Sequence, residues 1–279
     1  MKPLFLFRFL VCLGAAAVLM AGGGSRAMAQ AADAAPKAYV VALGLSDEQK
    51  VFRLEAAQAA RVLGAFYGRG GETVVRPSPQ QPKIPRATDI AATLDDVAAR
   101  MDRQHDILML FLTSHGSPQG IAIASKRRLE ILSPQQLGGL LRRTGVTNKV
   151  VIVSACFSGI FTAVADPHTL VITASDAAHP SFGSHQRVMT NFGYLYLNKS
   201  VPETPTLPAA YALARSATTE VERGLCGKGR ISAAYRKVTG DCSGPSNPQM
   251  AGGDAFAREL RAEPVSTEAR QKLKLDLLQ

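Results

Sequence analysis

Two residues in this chain have the types and placement of a nucleophile and its base. Cys156 closes the apolar run Val150-Val151-Ile152-Val153-Ser154-Ala155. His115 follows the run Ile107-Leu108-Met109-Leu110-Phe111-Leu112-Thr113-Ser114, 41 residues earlier. A thiol with an ordinary pKa of about 8.5 is only a few per cent thiolate at neutral pH. A neighbouring imidazolium or a helix N-terminus lowers that pKa. Cys156 stands where a strand should hand over to a helix, so both aids are expected here. Gly116 follows the histidine. With no side chain, its backbone N–H can approach a substrate oxyanion closely. The N–H of Cys156 would be the second donor.

Each residue alone has a plainer reading. A cysteine is often a small buried hydrophobe, and a histidine before glycine is often a turn residue. The joint pattern carries the chemistry: one apolar strand ending in His-Gly, then another ending in Ala-Cys, with a helix between. Ser154 and Ser158 are rival nucleophiles, but Gly-x-Ser-x-Gly is absent around both. His168, His179 and His185 have no metal-ligand spacing to cysteines or carboxylates and read as loop residues. No metal and no cofactor are expected.

For the two groups to meet, their strands must be parallel neighbours, because functional groups gather beyond the C-terminal strand ends of open α/β sheets. The rest of the pattern agrees. Tyr39 to Gly44, Thr73 to Val75 and Thr169 to Ala174 are further apolar strands, without polar alternation. Between them lie helical spacings: Phe52, Ala56, Ala59, Leu63 and Phe66, then Ile90, Leu94, Val97 and Met101. Ser46-Asp47-Glu48-Gln49 reads as a capping box opening the first helix, with Gly68 as its stop. Ser133-Pro134-Gln135-Gln136 opens another with an N-cap, an N1 proline and a capping glutamine. Gly120 to Ala124 and Leu129 to Leu132 form a small hairpin. A further helix is expected near Leu207 to Glu222. Apolar strands alternating with helices give an α/β fold with a mostly parallel central sheet flanked by helices.

The whole-chain numbers narrow the classes. With 279 residues, 46% hydrophobic and 19% charged, the chain is ordinary for a globular protein. Trp is absent and aromatics make up 6%, which excludes a stacking platform for single-stranded nucleic acid. The densest basic group, Lys126-Arg127-Arg128, reads as a solvated hairpin tip, so no nucleic-acid partner is expected.

Residues 1–29 read as a secretory signal peptide: Lys2 and Arg8, an apolar run from Phe9 to Met20, then Ala27-Met28-Ala29 before Gln30. Twelve apolar residues are too few to cross about 30 Å of hydrocarbon, so no membrane span is expected after cleavage. Loss of Lys2, Arg8 and Arg26 takes the formal charge from +10 to +7. The protein is then exported, periplasmic or secreted. Cys12 leaves with the signal, and in an oxidising compartment Cys226 and Cys242 are expected to close a disulfide, leaving Cys156 free. Residues 30–37 read as a disordered linker, 38–223 as the catalytic domain and 224–279 as a loop-rich extension.

Over roughly residues 38 to 200 the sequence resembles the legumain-type C13 cysteine peptidases of the caspase-like clan, particularly their bacterial members. Ser114-His115-Gly116 is similar to the family's His-Gly box, and Ser154-Ala155-Cys156-Phe157-Ser158-Gly159 to its Ala-Cys-x-Ser-Gly box. Ile172 to Asp176, with Ser181-Phe182-Gly183, resembles the segment lining the S1 pocket. The resemblance implies a caspase-like three-layer sandwich and endopeptidase activity on protein or peptide substrates through a Cys–His dyad. It implies substrate contacts from Ser175, Asp176 and Arg53, the last meeting a P1 carbonyl or carboxylate. Phe157 stands where legumains carry Glu, and Ser184-His185-Gln186-Arg187 has no acid where they carry a pocket aspartate. Those departures motivate a second reading, an inactive pseudopeptidase serving as an exported binding module.

Overall fold

The computed structural model describes residues 35–183, 188–227 and 244–275. The expected signal segment lies outside them, as do residues 30–34 of the expected linker. Lys37 is already tied in: its carbonyl accepts the Ile107 amide at 2.8 Å and its own amide reaches Asp106 Oδ1 at 3.2 Å.

Six strands form the main sheet, in the order β2-β1-β3-β7-β8-β9. They are β1 (Ala38–Gly44), β2 (Thr73–Arg76), β3 (Ile107–Thr113), β7 (Asn148–Ser154), β8 (Thr169–Thr173) and β9 (Gln249–Ala251). The first five run parallel. A second sheet joins β4 (Gly116–Ser117), β5 (Gly120–Ser125) and β6 (Arg128–Leu132) in antiparallel order. β9 falls inside a stretch that reads from sequence as a long loop. It pairs antiparallel with β8, Ile172 opposite Met250. Three residues among glycines, prolines and serines give too short a pattern to read.

Strand residues alternate between two apolar layers. Val40, Ala42, Met109, Phe111, Val150 and Ile152 face α1 (Lys50–Tyr67) and α4 (Leu207–Gly227). An irregular helical segment, Tyr194–Ser200, packs on the same side through Tyr196 and Leu197. Val41, Leu43, Leu110, Leu112, Val151 and Val153 face α2 (Ala87–Ala98) and α3 (Pro134–Arg143). Both faces are therefore dry, which is why the strands read as unbroken apolar runs. Each fully buried leucine or isoleucine on them contributes about 1.5–3 kcal/mol. The expected stripe on α1 is buried throughout, Phe52 through Phe66. The charged C-terminal stretch forms α5 (Thr267–Leu275).

The two helix starts fare differently. Ser133 caps α3 as expected: its hydroxyl accepts the Gln136 amide, and Gln136 returns to the Ser133 amide at 2.9 Å. The expected box at Ser46 does not form. The chain there pairs with β5, with Ala124 N–H on Leu45 O at 2.8 Å and Asp47 N–H on Ala124 O at 3.3 Å. That pairing holds residues 45–47 extended, so α1 begins at Lys50 with Gln49 as an uncapped N-cap.

Candidate active site

β3 and β7 are hydrogen-bonded neighbours in register from Ile107 opposite Asn148 to Thr113 opposite Ser154. His115 and Cys156 each stand two residues beyond those last partners, at the same edge of the sheet. The contact between the two loops is close. A Cβ built on Gly116 would lie 2.0 Å from the Cys156 carbonyl oxygen. Only glycine permits that approach. The backbone N–H groups of Gly116 and Cys156 both lie near enough to the Cys156 sulfur to favour its thiolate.

The His115 ring is set by α1 and by the loop before it. Its side chain is 42% exposed, and Phe52 meets it edge-on with ring centroids 4.8 Å apart. Nε2 lies 3.3 Å from Glu48 Oε2, a contact too poorly aligned to count as a hydrogen bond. The His115 carbonyl accepts the Ala122 amide at 2.9 Å, which fixes the start of the second sheet.

Cys156 is the one free cysteine among the described residues, and it is half-buried. Its thiol donates to the Ser181 carbonyl at 3.5 Å and receives the Ser181 hydroxyl at 3.8 Å, not the imidazole. Burial pushes the thiol above its ordinary pKa; Ser181 and the amides of Cys156 and Gly116 pull the other way without overcoming it. The lowered pKa expected from sequence is thus reversed in the free protein. No α-helix starts at the nucleophile. Phe157 takes a left-handed conformation at φ 55°, and only a seven-residue 3-10 turn, Ser158–Val164, follows. A non-glycine residue there costs of order 1–3 kcal/mol and needs a surround that enforces it. The surround is visible: Phe157 N–H donates to His179 O at 3.0 Å, and Ser158 N–H to Ser175 Oγ at 2.9 Å.

The other sequence candidates separate. Ser175 is fully buried, and its hydroxyl bridges Ser158 and the Ala155 carbonyl. It braces the turn under Cys156 and has no surface to offer a substrate. Asp176 is engaged by its own loop. It takes Nδ1 of His179 at 2.8 Å, the amides of Ala178 and His179, and Nδ2 of Asn247 at 3.1 Å. Partial burial works to raise its carboxyl, but the His179 side chain and the other donors outweigh that and hold it below the usual carboxylate range. His179 is in a loop as read, yet it is a paired residue. Arg53 is exposed on α1 and carries no ion pair among the described residues. Ser154 and Ser158 are both fully buried, which removes them as rival nucleophiles. Cys226 is disulfide-bonded; Cys242, its expected partner, lies outside the described residues, as does His185.

Sequence reasoning missed Glu55. It is fully buried on α1 and accepts the Thr190 amide at 2.9 Å and the Thr190 hydroxyl at 3.1 Å. A signal was present: Glu55 lies three residues after Phe52 and four before Ala59, on the apolar stripe. No cluster of three or more His, Cys, Asp or Glu able to hold a metal occurs among the described residues. Among the same residues no helix is long and apolar enough to cross a membrane.

Comparison with known proteins bears on the fold and the family. The crystal structure of caspase-1 from Spodoptera frugiperda superposes with a TM-score of 0.53 at 12% identity, over 78% of this chain and 86% of that one. At that identity the likeness speaks for the fold alone: a caspase-like sandwich. No curated protein sequence matches the chain. The sequence profile described as the Peptidase C13 family matches residues 87–237, more than half of the chain and the part that holds His115, Gly116 and Cys156. The chain belongs to the Peptidase C13 family.

Proposed function

We propose that this protein is a legumain-like cysteine endopeptidase in which Cys156 is the nucleophile and His115 the proton carrier. The observation that carries the reading is the convergence at one sheet edge of a free thiol, a half-exposed imidazole and two backbone N–H groups near the sulfur. Cys156 Sγ attacks the scissile carbonyl after its proton passes to His115. The Gly116 and Cys156 amides hold the oxyanion. The C–N bond breaks, the leaving amine takes the proton from His115, and water releases the acyl group. A raised thiol pKa in the free protein fits a site that activates on substrate binding, since catalytic hydrogen bonds are often long in unliganded enzymes and tighten in the complex. Arg53, exposed and unpaired among the described residues, meets a P1 carbonyl or carboxylate. Residues 1–29 act as the export signal, and N-terminal sequencing of the mature protein is expected to begin at Gln30.

Peptide-library cleavage with wild type, Cys156→Ala and His115→Ala tests the mechanism. Each substitution is expected to abolish nearly all turnover. Equal turnover in wild type and the Cys156 variant defeats the reading. One observation favours the pseudopeptidase alternative: the thiol is bonded to Ser181 and not to the imidazole. Failure of folded, reduced protein to react at Cys156 with a thiol-directed peptide probe would decide for it.

A further inference from the structure

The Glu55 carboxyl is linked, directly or through Thr190, to the segments that bring groups to the thiol. Its Oε2 and Oε1 accept the amide and hydroxyl of Thr190. The Thr190 hydroxyl is 3.0 Å from Ser154 Oγ and accepts the Gly193 amide at 2.8 Å. Ser154 reaches the carboxyl through Thr190, and the Thr113 hydroxyl faces it without full alignment. Thr113 and Ser154 are register partners that end β3 and β7, each two residues before His115 and Cys156. Thr190 bridges to Gly183, and the Asn191 amide donates to Phe182 O at 3.0 Å. That strand-like pairing continues directly from Ser181, the thiol's partner. One turn before Glu55 on the same helix, Phe52 lies against the His115 ring.

Space is reserved for this group. A Cβ on Gly193 would fall 2.2 Å from Glu55 Oε1. An isolated carboxylate in an apolar layer is costly to bury, and a packed hydrophobe of similar volume is often equal or better for stability alone. A carboxyl kept at the junction of three site-bearing segments therefore suggests a role in their placement.

We propose that Glu55 is the positioning residue of the site, a buried carboxylate strut that fixes the ends of β3 and β7 and residues 181–183 and 188–190 in one arrangement. The proposal rests on the reading of His115 and Cys156 as the reacting pair. It has a consequence for pH. Burial pushes the Glu55 carboxyl up to about 7, against the polar groups of Ser154, Thr190 and Thr113, which favour the anion. The elements packed on it present Thr113 from β3, Ser154 from β7, and Thr190 and Gly193 from the segment before the irregular helix. Its largest influences are burial and hydrogen-bonding groups, none of them a second ionisable side chain. Beyond the ends of those two strands the first titratable groups are His115 and Cys156 themselves. The contacts to Thr190 donate into the carboxyl, so the arrangement is that of the anion. Below its pKa the neutral acid must donate one hydrogen bond, and the strut loosens.

The test compares the full-length wild type with Glu55→Gln and Ser154→Ala in three readouts. These are side-chain carboxyl NMR titration, kcat and KM on a cleaved peptide, and iodoacetamide alkylation of Cys156, followed from about pH 5 to about pH 9. Burial also pushes the Glu222 carboxyl up to about 7, so of two carboxyls titrating near neutrality one is expected to vanish in Glu55→Gln, along with an ionisation near pH 7 in both rate profiles. Its kcat is expected to fall about 10- to 100-fold with KM changed little, because a misplacement near 1 Å can cost that much. Ser154→Ala removes the hydroxyl that supports Thr190 on the anion, so it should keep the ionisation but move it upward. A folded Glu55→Gln with wild-type kcat and unchanged profiles overturns the proposal. If that variant does not fold, Ser154→Ala decides: an unshifted ionisation with unchanged kcat overturns it. If the wild type cleaves no peptide, the peptidase reading falls, while the alkylation profile still tests the strut.

Discussion

Gly116→Ala should be the most informative single methyl group that can be added to this protein. The new carbon would lie 2.0 Å from the carbonyl oxygen of Cys156, 2.9 Å from its carbonyl carbon and 3.0 Å from its nitrogen. Ordinary contact between such atoms begins at about 3.5 Å, so about 1.5 Å is missing. All three obstructing atoms are backbone, and no rotamer change relieves the clash. Gly116 has no positive φ, so the effect is steric and not conformational. Either the end of β3 lifts away from β7, or the turn at Cys156 rotates. Both movements displace an N–H that lies near the sulfur. Oxyanion donors act over 2.7–3.1 Å, and losing one costs roughly 3–4 kcal/mol, about 100- to 1,000-fold in kcat. Overpacking adds about 1–3 kcal/mol of destabilisation. At about 2–4 °C per kcal/mol for a domain of this size, Tm should drop by several degrees.

The assay is kcat/KM on a cleaved peptide beside the rate of Cys156 alkylation by iodoacetamide, with thermal melting on the same samples. Peptide turnover is expected to fall by about 100-fold or more, and alkylation, which develops no oxyanion, much less. Gly139→Ala is the control. It lies in α3, and a Cβ added there would meet nothing within 4 Å, so the variant should gain about 0.5–1 kcal/mol of helix stability. Wild-type turnover and melting in Gly116→Ala would refute the close approach of the two loops, and with it the oxyanion reading.

Arg53→Ala is expected to reduce selectivity for peptides with Asn or Asp at P1 while leaving turnover of other peptides largely intact; an unchanged library profile removes Arg53 from the pocket. Asp176→Asn should slow turnover by freeing the turn that holds Phe157, and should flatten the acid limb of the stability curve. The sign follows from the depressed carboxyl: its stabilisation is present above the unfolded carboxylate pKa and is lost as pH falls through the lower folded value. Equal urea midpoints for the two proteins down to the acid unfolding region would contradict this. For Cys156, burial raises the thiol, so alkylation of the free protein should keep climbing past the pH at which an ordinary cysteine levels off. A plateau near neutrality would contradict it.

The meeting of His115 and Cys156 at one sheet edge was legible because two signals coincide at each strand end. A strand buried on both faces must be apolar, so a reactive residue just past it marks an edge. The register of β3 and β7 sets Thr113 opposite Ser154, so Ser114-His115 and Ala155-Cys156 leave the sheet side by side. The helix at Ser133 was legible because its capping bonds lie within four residues. The equally clear pattern at Ser46 failed because its backbone is claimed by Ala124, 78 residues on by sequence number, and no local reading contains that partner. Ser175 and Asp176 show a related limit. Their side chains point to a pocket by resemblance, but each hydrogen-bonds residues beside the nucleophile turn, Ser158 for one and His179 for the other.

Glu55 shows where a sequence reading loses a residue that bears on function. A helix stripe is sought by asking which positions are apolar, and an acid inside the stripe counts only as noise against the pattern. The better question is what such an acid could be bonded to. On α1 the answer is the amide and hydroxyl of Thr190, with Ser154 behind Thr190 and the Thr113 hydroxyl facing the carboxyl, each from a different segment. Those hydroxyls also look unremarkable in sequence, since Thr113 and Ser154 simply end their strands. Together they place an ionisable group under the sheet edge where the thiol and imidazole emerge. A buried carboxyl titrating near neutrality makes the geometry of that edge depend on a proton held by neither reacting group. On the proposed reading, a pH profile interpreted only in terms of Cys156 and His115 would assign that ionisation to the wrong residue.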